Sequence, residues 1–144
     1  MVEIAFKSDA VEADMNAVFV PLGDFNTEAA GRASGRHEVV FHLIDDSGAK
    51  IGGLVGWSTF DWFFVVGIFV PEALRGKGLG RELIGRAEAY AREQGLIGVW
   101  LDTFDFQARG FYEKLGYTVF GTLDDHPVGG HRFFLKKRLD QPSN

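Results

Sequence analysis

Apolar and polar residues change their period several times along this chain, and each change marks an element. Residues 2–6 alternate, as a short strand does. Residues 10–19 read as a first helix, stopped at Pro21 because an interior proline lacks the N–H that the ladder needs. Residues 25–31 read as a second short helix. Residues 38–44 form a strand, followed by a turn at Asp45-Asp46-Ser47-Gly48. Residues 50–59 form the next strand. Residues 62–70 are apolar almost without interruption, the pattern of a strand covered on both faces and therefore central in a sheet. Gly67 interrupts it, and a glycine there marks either a bulge or a site tolerated for packing.

From Leu79 the period becomes helical. Leu79, Leu83, Ala87, Tyr90 and Ala91 share one face, while Glu82–Arg86 and Glu88–Arg92 form i,i+4 pairs assigned to the exposed side. Gly95 stops this helix. Residues 97–104 read as a strand, and residues 107–115 as a short helix with Ala108, Phe111, Tyr112 and Leu115 on one face. Residues 117–123 and 131–137 then form a hairpin with a long loop. The chain is thus a strand, one or two helices, a three-strand meander, and a strand–helix alternation ending in a hairpin.

At 144 residues the chain is expected to be one domain, residues 1–139, with a loose tail at 140–144. It has no cysteine, which leaves no disulfide, thiolate nucleophile or thiolate metal site. The histidines at 37, 42, 126 and 131 are not spaced as metal ligands, so no metal is expected. A net charge of −5 argues against general nucleic-acid binding. No apolar run approaches the ~20 residues of a membrane span, and residues 1–7 lack a signal pattern. No membrane association is expected, and a cytoplasmic location is.

The stretch Arg75-Gly76-Lys77-Gly78-Leu79-Gly80-Arg81 joins the apolar strand to the amphipathic helix. Glycines let a tight bend present bare N–H groups, and a helix start adds partial positive charge, so such a bend suits phosphate. It is not a Walker loop, because Gly76-Lys77 is followed by Gly78 and not by a magnesium-binding hydroxyl. Nor is it a Rossmann fingerprint, since the glycines are spaced G-x-G-x-G. It does meet Arg-x-x-Gly-x-Gly. Downstream stands Asp105-Phe106-Gln107-Ala108-Arg109-Gly110-Phe111-Tyr112-Glu113-Lys114-Leu115-Gly116-Tyr117. Together the two segments resemble the acetyl-CoA pyrophosphate loop and the second signature of the GNAT superfamily of N-acetyltransferases, over roughly residues 50–138.

That resemblance implies an α/β (α+β) GNAT-like acyltransferase fold: a mixed, mostly antiparallel sheet of about seven strands flanked by about four helices. It implies acetyl-CoA as cosubstrate and a small-molecule primary amine as acceptor, and by analogy a homodimer. The N–H groups from Gly76 to Gly80 would take the pyrophosphate, with Arg75, Lys77 and Arg81 beside them. Ile68, Phe69 and Val70 would pair with the pantetheine arm as with an added strand. Gln107, Phe111 and Lys114 are further cofactor contacts. Asp105 would contact the cofactor, cap the helix that follows, or do both. Tyr112 would serve as general acid to the leaving thiolate, although a core tyrosine would read the same way.

No acid lies within residues 62–70, where relatives often carry a glutamate that relays the amine's proton. Asp61 precedes that strand and Asp102 lies in the next one, as either a hydrogen-bonded structural acid or a substrate-facing one. The loop 124–131, with Asp125, His126 and His131, reads as an acceptor wall or a solvated turn. Two further functions stay open: a non-catalytic acyl-CoA-binding sensor, and an acetyltransferase acting on proteins or peptides.

Overall fold

The structure, a computed structural model, describes residues 1–141. Of the expected tail, residues 142–144 lie outside the described residues. The chain divides into two compact units, Met1–Ser34 and the remainder from Gly35.

The first unit is built on α1 (Glu12–Ala30). Asp14 sits in its first turn and accepts the Val11 N–H at 2.9 Å, and Lys7 Nζ donates to the same oxygen at 2.6 Å. Gly31, at φ 75°, ends the helix in the left-handed conformation that glycine enters without penalty. Two expectations fail here. Residues 2–6 form no strand, and the two short helices are one helix with Pro21 inside it. Proline's fixed φ is itself helical, so the chain runs on past Pro21 with one donor missing from the ladder.

The second unit holds β1 (His37–Ile44), β2 (Lys50–Thr59), β3 (Trp62–Phe69), a 3-10 turn (Glu72–Leu74), α2 (Leu79–Glu93), β4 (Gly98–Phe104), α3 (Arg109–Lys114), β5 (Thr118–Asp124) and β6 (His131–Arg138). Six strands form one sheet in the order β1-β2-β3-β4-β6-β5. All neighbours are antiparallel except β3 and β4. The sheet is thus mixed and mostly antiparallel, with six strands among the described residues, not seven, and three α-helices, not four. β3 is central, as its apolar run implied.

The core lies on the sheet face that carries α2. Phe63, Val65, Val99, Leu101 and Leu135 are buried there against Leu83, Ile84, Ala87 and Ala91. On the other face Phe64 stacks on Trp100 at 4.1 Å and meets Trp57 at 5.7 Å, so the first half of β3 is covered on both sides. Gly98 allows the strands to close: a Cβ there would lie 2.4 Å from the Lys137 carbonyl oxygen and 2.7 Å from the Trp62 ring. No helix among the described residues is long and apolar enough to cross a membrane.

Glu88 departs from its expected place on the exposed face. It is 6% exposed and points into the unit. Lys137 Nζ donates to Glu88 Oε1 at 2.9 Å and to the Leu115 carbonyl at 2.9 Å, and the Tyr117 hydroxyl donates to Glu88 Oε2 at 3.0 Å. Burial, reinforced by the Glu88 charge, pushes the Tyr117 phenol well above its usual range. The cluster ties α2, β6 and the turn after α3 together. A buried carboxylate stripped of its countercharge is costly. Lys137→Met is therefore expected to lower the unfolding free energy by about 3 kcal/mol in urea denaturation. Adding Glu88→Gln to it should recover part of the loss; no loss in the single variant would show the pair to be dispensable.

Candidate active site

The site originates in the hydrogen-bond ladder. β3 and β4 pair from Trp62↔Gly98 to Val65↔Leu101 and then stop pairing, although both strands continue. At the same level the register of β3 with β2 shifts: Gly56 opposes Val65 and Val55 opposes Gly67, which leaves Val66 as an extra residue. A bulge of this kind bends its strand. The irregularity thus falls on Val66, next to Gly67. Past it the strands part, and a cavity of about 810 Å³ opens between residues 65–70 of β3 and 101–104 of β4.

The glycine bend closes one end. Gly76 and Gly78 have φ of 80° and 83°, where a side chain would be strained. Gly78 is the N-cap of α2, and no side chain caps the helix, so its first N–H groups are left for another partner. Gly80 packs against Phe111, whose ring would lie 3.3 Å from an added Cβ. Arg75 Nε donates to the Val70 carbonyl at 2.8 Å, which ties the bend to the end of β3. Arg75, Gly76, Gly78, Leu79, Gly80 and Arg81 all border the cavity. So do Ile68, Phe69 and Val70 on one wall, and Gln107, Phe111 and Tyr112 on the other. Lys77, Lys114 and Asp105 are exposed and do not border it.

Tyr112 projects from α3 into the core and reaches the cavity at 7% exposure. Its ring meets Phe111 and Tyr117 edge-on at 5.1 and 6.1 Å. Burial, and secondarily the negative charge of Asp102, pushes its phenol up to about 12. At neutral pH it is a protonated donor. Gln107 Oε1 accepts from the Phe104 N–H at 2.8 Å and from Thr103 Oγ1 at 3.0 Å, closing off the end of β4.

Asp102 borders the same cavity and is ion-paired. Its Oδ1 accepts from Arg132 Nε at 3.0 Å and lies 2.8 Å from Arg132 Nη2 in the ion pair. Asp105 does not cap α3. The N-cap is Ala108, without a side-chain bond. Asp105 Oδ2 instead accepts the His131 N–H at 2.9 Å, because the end of β4 pairs with the start of β6. The other acids and histidines lie elsewhere. Asp61 is in the turn before β3, at φ 79°, and its carbonyl accepts from Ile97 N at 2.7 Å. Asp125 Oδ1 accepts from Gly129 N at 3.0 Å within its own loop. His131 Nδ1 meets Asp124 Oδ1 at 2.8 Å. His126 packs edge-on against Phe104 at 5.2 Å. Arg109 pairs with Glu113 at 3.0 Å and lies over the Phe133 ring at 4.5 Å.

Several wall residues carried no signal that was read from sequence. Phe104 and Phe106 are stacked at 5.1 Å with planes 4° apart, and both border the cavity. Strand alternation puts Phe104 on the same face as Asp102, which would have found it. Arg132 meets Asp102 through the register of β4 on β6, which no local pattern encodes.

A family model described as the Acetyltransferase (GNAT) family matches residues 9–117. Blasticidin-S acetyltransferase of Streptomyces morookaense is 44% identical over 68% of this chain and 73% of its own length. Acetyltransferase Atu2258 of Agrobacterium fabrum is 34% identical over 92% of this chain and 96% of its own. A crystal structure from Agrobacterium tumefaciens, assigned as an acetyltransferase, superposes with a TM-score of 0.90 at 31% identity, covering 95% of this chain and 99% of that one.

The Tyr112 shift has a measurable consequence. Its folded pKa is raised above the unfolded value, so the stability it contributes is complete below pH ~10 and is lost as pH climbs toward about 12. In urea titrations between pH 9 and 12, Tyr112→Phe should flatten the alkaline decline by about 2 kcal/mol. A variant that declines as steeply as the parent would place Tyr112 in water.

Proposed function

The chain belongs to the acetyltransferase (GNAT) family, and from that premise we propose that it moves the acetyl group of acetyl-CoA directly onto a primary amine of a small molecule. The observation that carries this reading is the parting of β3 from β4, with a buried, protonated tyrosine inside the gap and a glycine bend at its end. Beyond Val65 the edge of β3 that faces β4 has lost its ladder partner. The backbone polar groups of residues 66–70 on that side need one, and the amide-bearing pantetheine arm supplies it. The bend then takes the pyrophosphate on the N–H groups from Gly76 to Gly80, with Arg75 and Arg81 adding charge.

Direct transfer suits the rest of the cavity. The thioester carbonyl is attacked by the amine, and the departing sulfur is met by the Tyr112 hydroxyl, which has no protein hydrogen-bond partner among the described residues. A phenol held near 12 stays protonated at neutral pH, so it stands beside the forming thiolate as a hydrogen-bond donor, and its proton can pass to sulfur as the nitrogen's surplus proton replaces it. The acceptor is small by analogy with the relative that is named for blasticidin S. Among the described residues no cluster of His, Cys, Asp or Glu could hold a metal ion, and this chemistry requires none.

The reaction can be followed by thiol release, since a chain without cysteine gives no background. With acetyl-CoA and a panel of blasticidin S, kanamycin, spermidine and a short peptide with a free amino terminus, at least one small amine should release CoA thiol and gain an acetyl group by mass spectrometry. Binding of CoA without turnover on any amine would favour the sensor, and turnover confined to the peptide would favour a protein-directed enzyme. Arg75→Ala with Gly78→Glu should abolish CoA binding in calorimetry; unchanged affinity would show the bend to be misassigned. Tyr112→Phe should cut turnover by about 100-fold or more while leaving CoA affinity nearly intact. Equal turnover would remove the general-acid role.

A further inference from the structure

An alkylammonium with a pKa near ~10 is only about 0.1% neutral at pH 7, so acetyl transfer needs a group that takes the amine's proton. β3 offers none. Among the residues that line the cavity there is one carboxylate, Asp102. It is the first residue of β4 beyond the last β3–β4 pair, Val65↔Leu101, and so stands at the apex of the gap, across from the bulged Val66.

Strand alternation sends its side chain to the face opposite Leu101 and Thr103, which are buried with Tyr112. Acid and carboxylate therefore approach the gap from its two sides. We propose that Asp102 Oδ2 holds the acceptor's ammonium at this apex and takes its proton, with Arg132 as the positioning residue that fixes the carboxylate. This rests on the acetyl-transfer reading above.

The hydrogen-bond pattern suits that role. Arg132 brings both Nε and Nη2 to the same oxygen, Oδ1. Oδ2 receives no protein donor among the described residues, so its lone pairs remain for a cation. Arg132 is itself held between the Phe104 and Phe134 rings, at 5.5 and 5.3 Å, so it can hold the carboxylate still. The charged or titratable groups facing Asp102 are Arg132 from β6 and Tyr112 from α3; the facing stretch of β3, residues 65–69, carries none.

The protons balance. The ammonium gives one proton to Oδ2, which passes it to solvent through the cavity mouth. The freed lone pair forms the C–N bond at the thioester carbonyl, the C–S bond breaks, and its electron pair leaves on sulfur. Tyr112 protonates the sulfur, and the nitrogen's surplus proton returns to the Tyr112 oxygen. One proton is released per acetyl group moved.

The test is the pH dependence of kcat/KM for the fastest amine of the panel, between pH 6 and 9, in the parent and in Asp102→Asn. The parent profile should be flat, because the enzyme accepts the protonated amine. Asp102→Asn should keep its CoA affinity and lose about 100-fold at pH 7. That deficit should shrink about tenfold per pH unit, as the buffer takes over the proton. Arg132→Gln should lower kcat/KM but keep the flat profile.

A deficit that stays constant with pH would make Asp102 structural and overturn the proposal, as would no deficit. If Asp102→Asn fails to fold, the parent profile still decides: a rise of one log unit per pH unit means no proton acceptor is present. Thiol release by the parent with a shared profile in the variant would sink this inference alone. No thiol release with any amine would sink the transfer reading with it.

Discussion

The site depends on a failed pairing. β3 and β4 are the one parallel pair of neighbours among the described residues, and they hold together for four residue pairs before separating. A separation inside a sheet leaves backbone donors and acceptors without partners, which a protein tolerates only where water or a ligand replaces them. Here the bulge at Val66 turns β3 away while β4 stays locked to β6 along its whole length. One wall is thus bent and the other straight, and the wedge between them is the cavity.

What keeps the wedge in shape lies outside it. α2 is fixed on the core face by Leu83, Ile84, Ala87 and Ala91, which sets the position of the glycine bend at its start. α3 has only six residues, too few to hold its place by itself. Its position is set by Phe111 against Gly80, by the aromatic contacts of Tyr112, and by Lys137 on the Leu115 carbonyl. The buried Glu88–Lys137–Tyr117 cluster therefore acts on the site through the short helix that carries Tyr112. Charges placed so deep are costly unless every member is satisfied, and here each has a partner.

The cavity combines apolar walls with few polar groups, the usual economy of small-molecule sites. Tyr112 and Asp102 differ in environment. Tyr112 is enclosed by rings and keeps its proton, whereas Asp102 is ion-paired with the Arg132 guanidinium.

Local pattern was sufficient for much of this molecule. The apolar run at 62–70 announced a central strand, the 3.6-residue period from Leu79 announced α2, and the glycines at 76, 78 and 80 announced a tight bend between them, because period and φ preference are properties of neighbours in the chain. Where the pattern was weak or a single residue was over-read, expectation failed: Pro21 did not stop α1, and residues 2–6 made no strand. The partners of charged side chains were beyond reach altogether. Glu88 read as a surface residue because it stands i,i+4 to Arg92; Lys137, 49 positions away, is what draws it inside. Asp105 read as a cap because it precedes a helix; His131 across the hairpin claims it instead. Asp102 stood between two roles until β6 brought Arg132 to one of its oxygens and the gap exposed it to the other side. The chain's own order thus determined most of the elements and the glycine bend that joins β3 to α2. Strand register and the wedge, which exist only once distant segments pair, decided which acid borders the cavity.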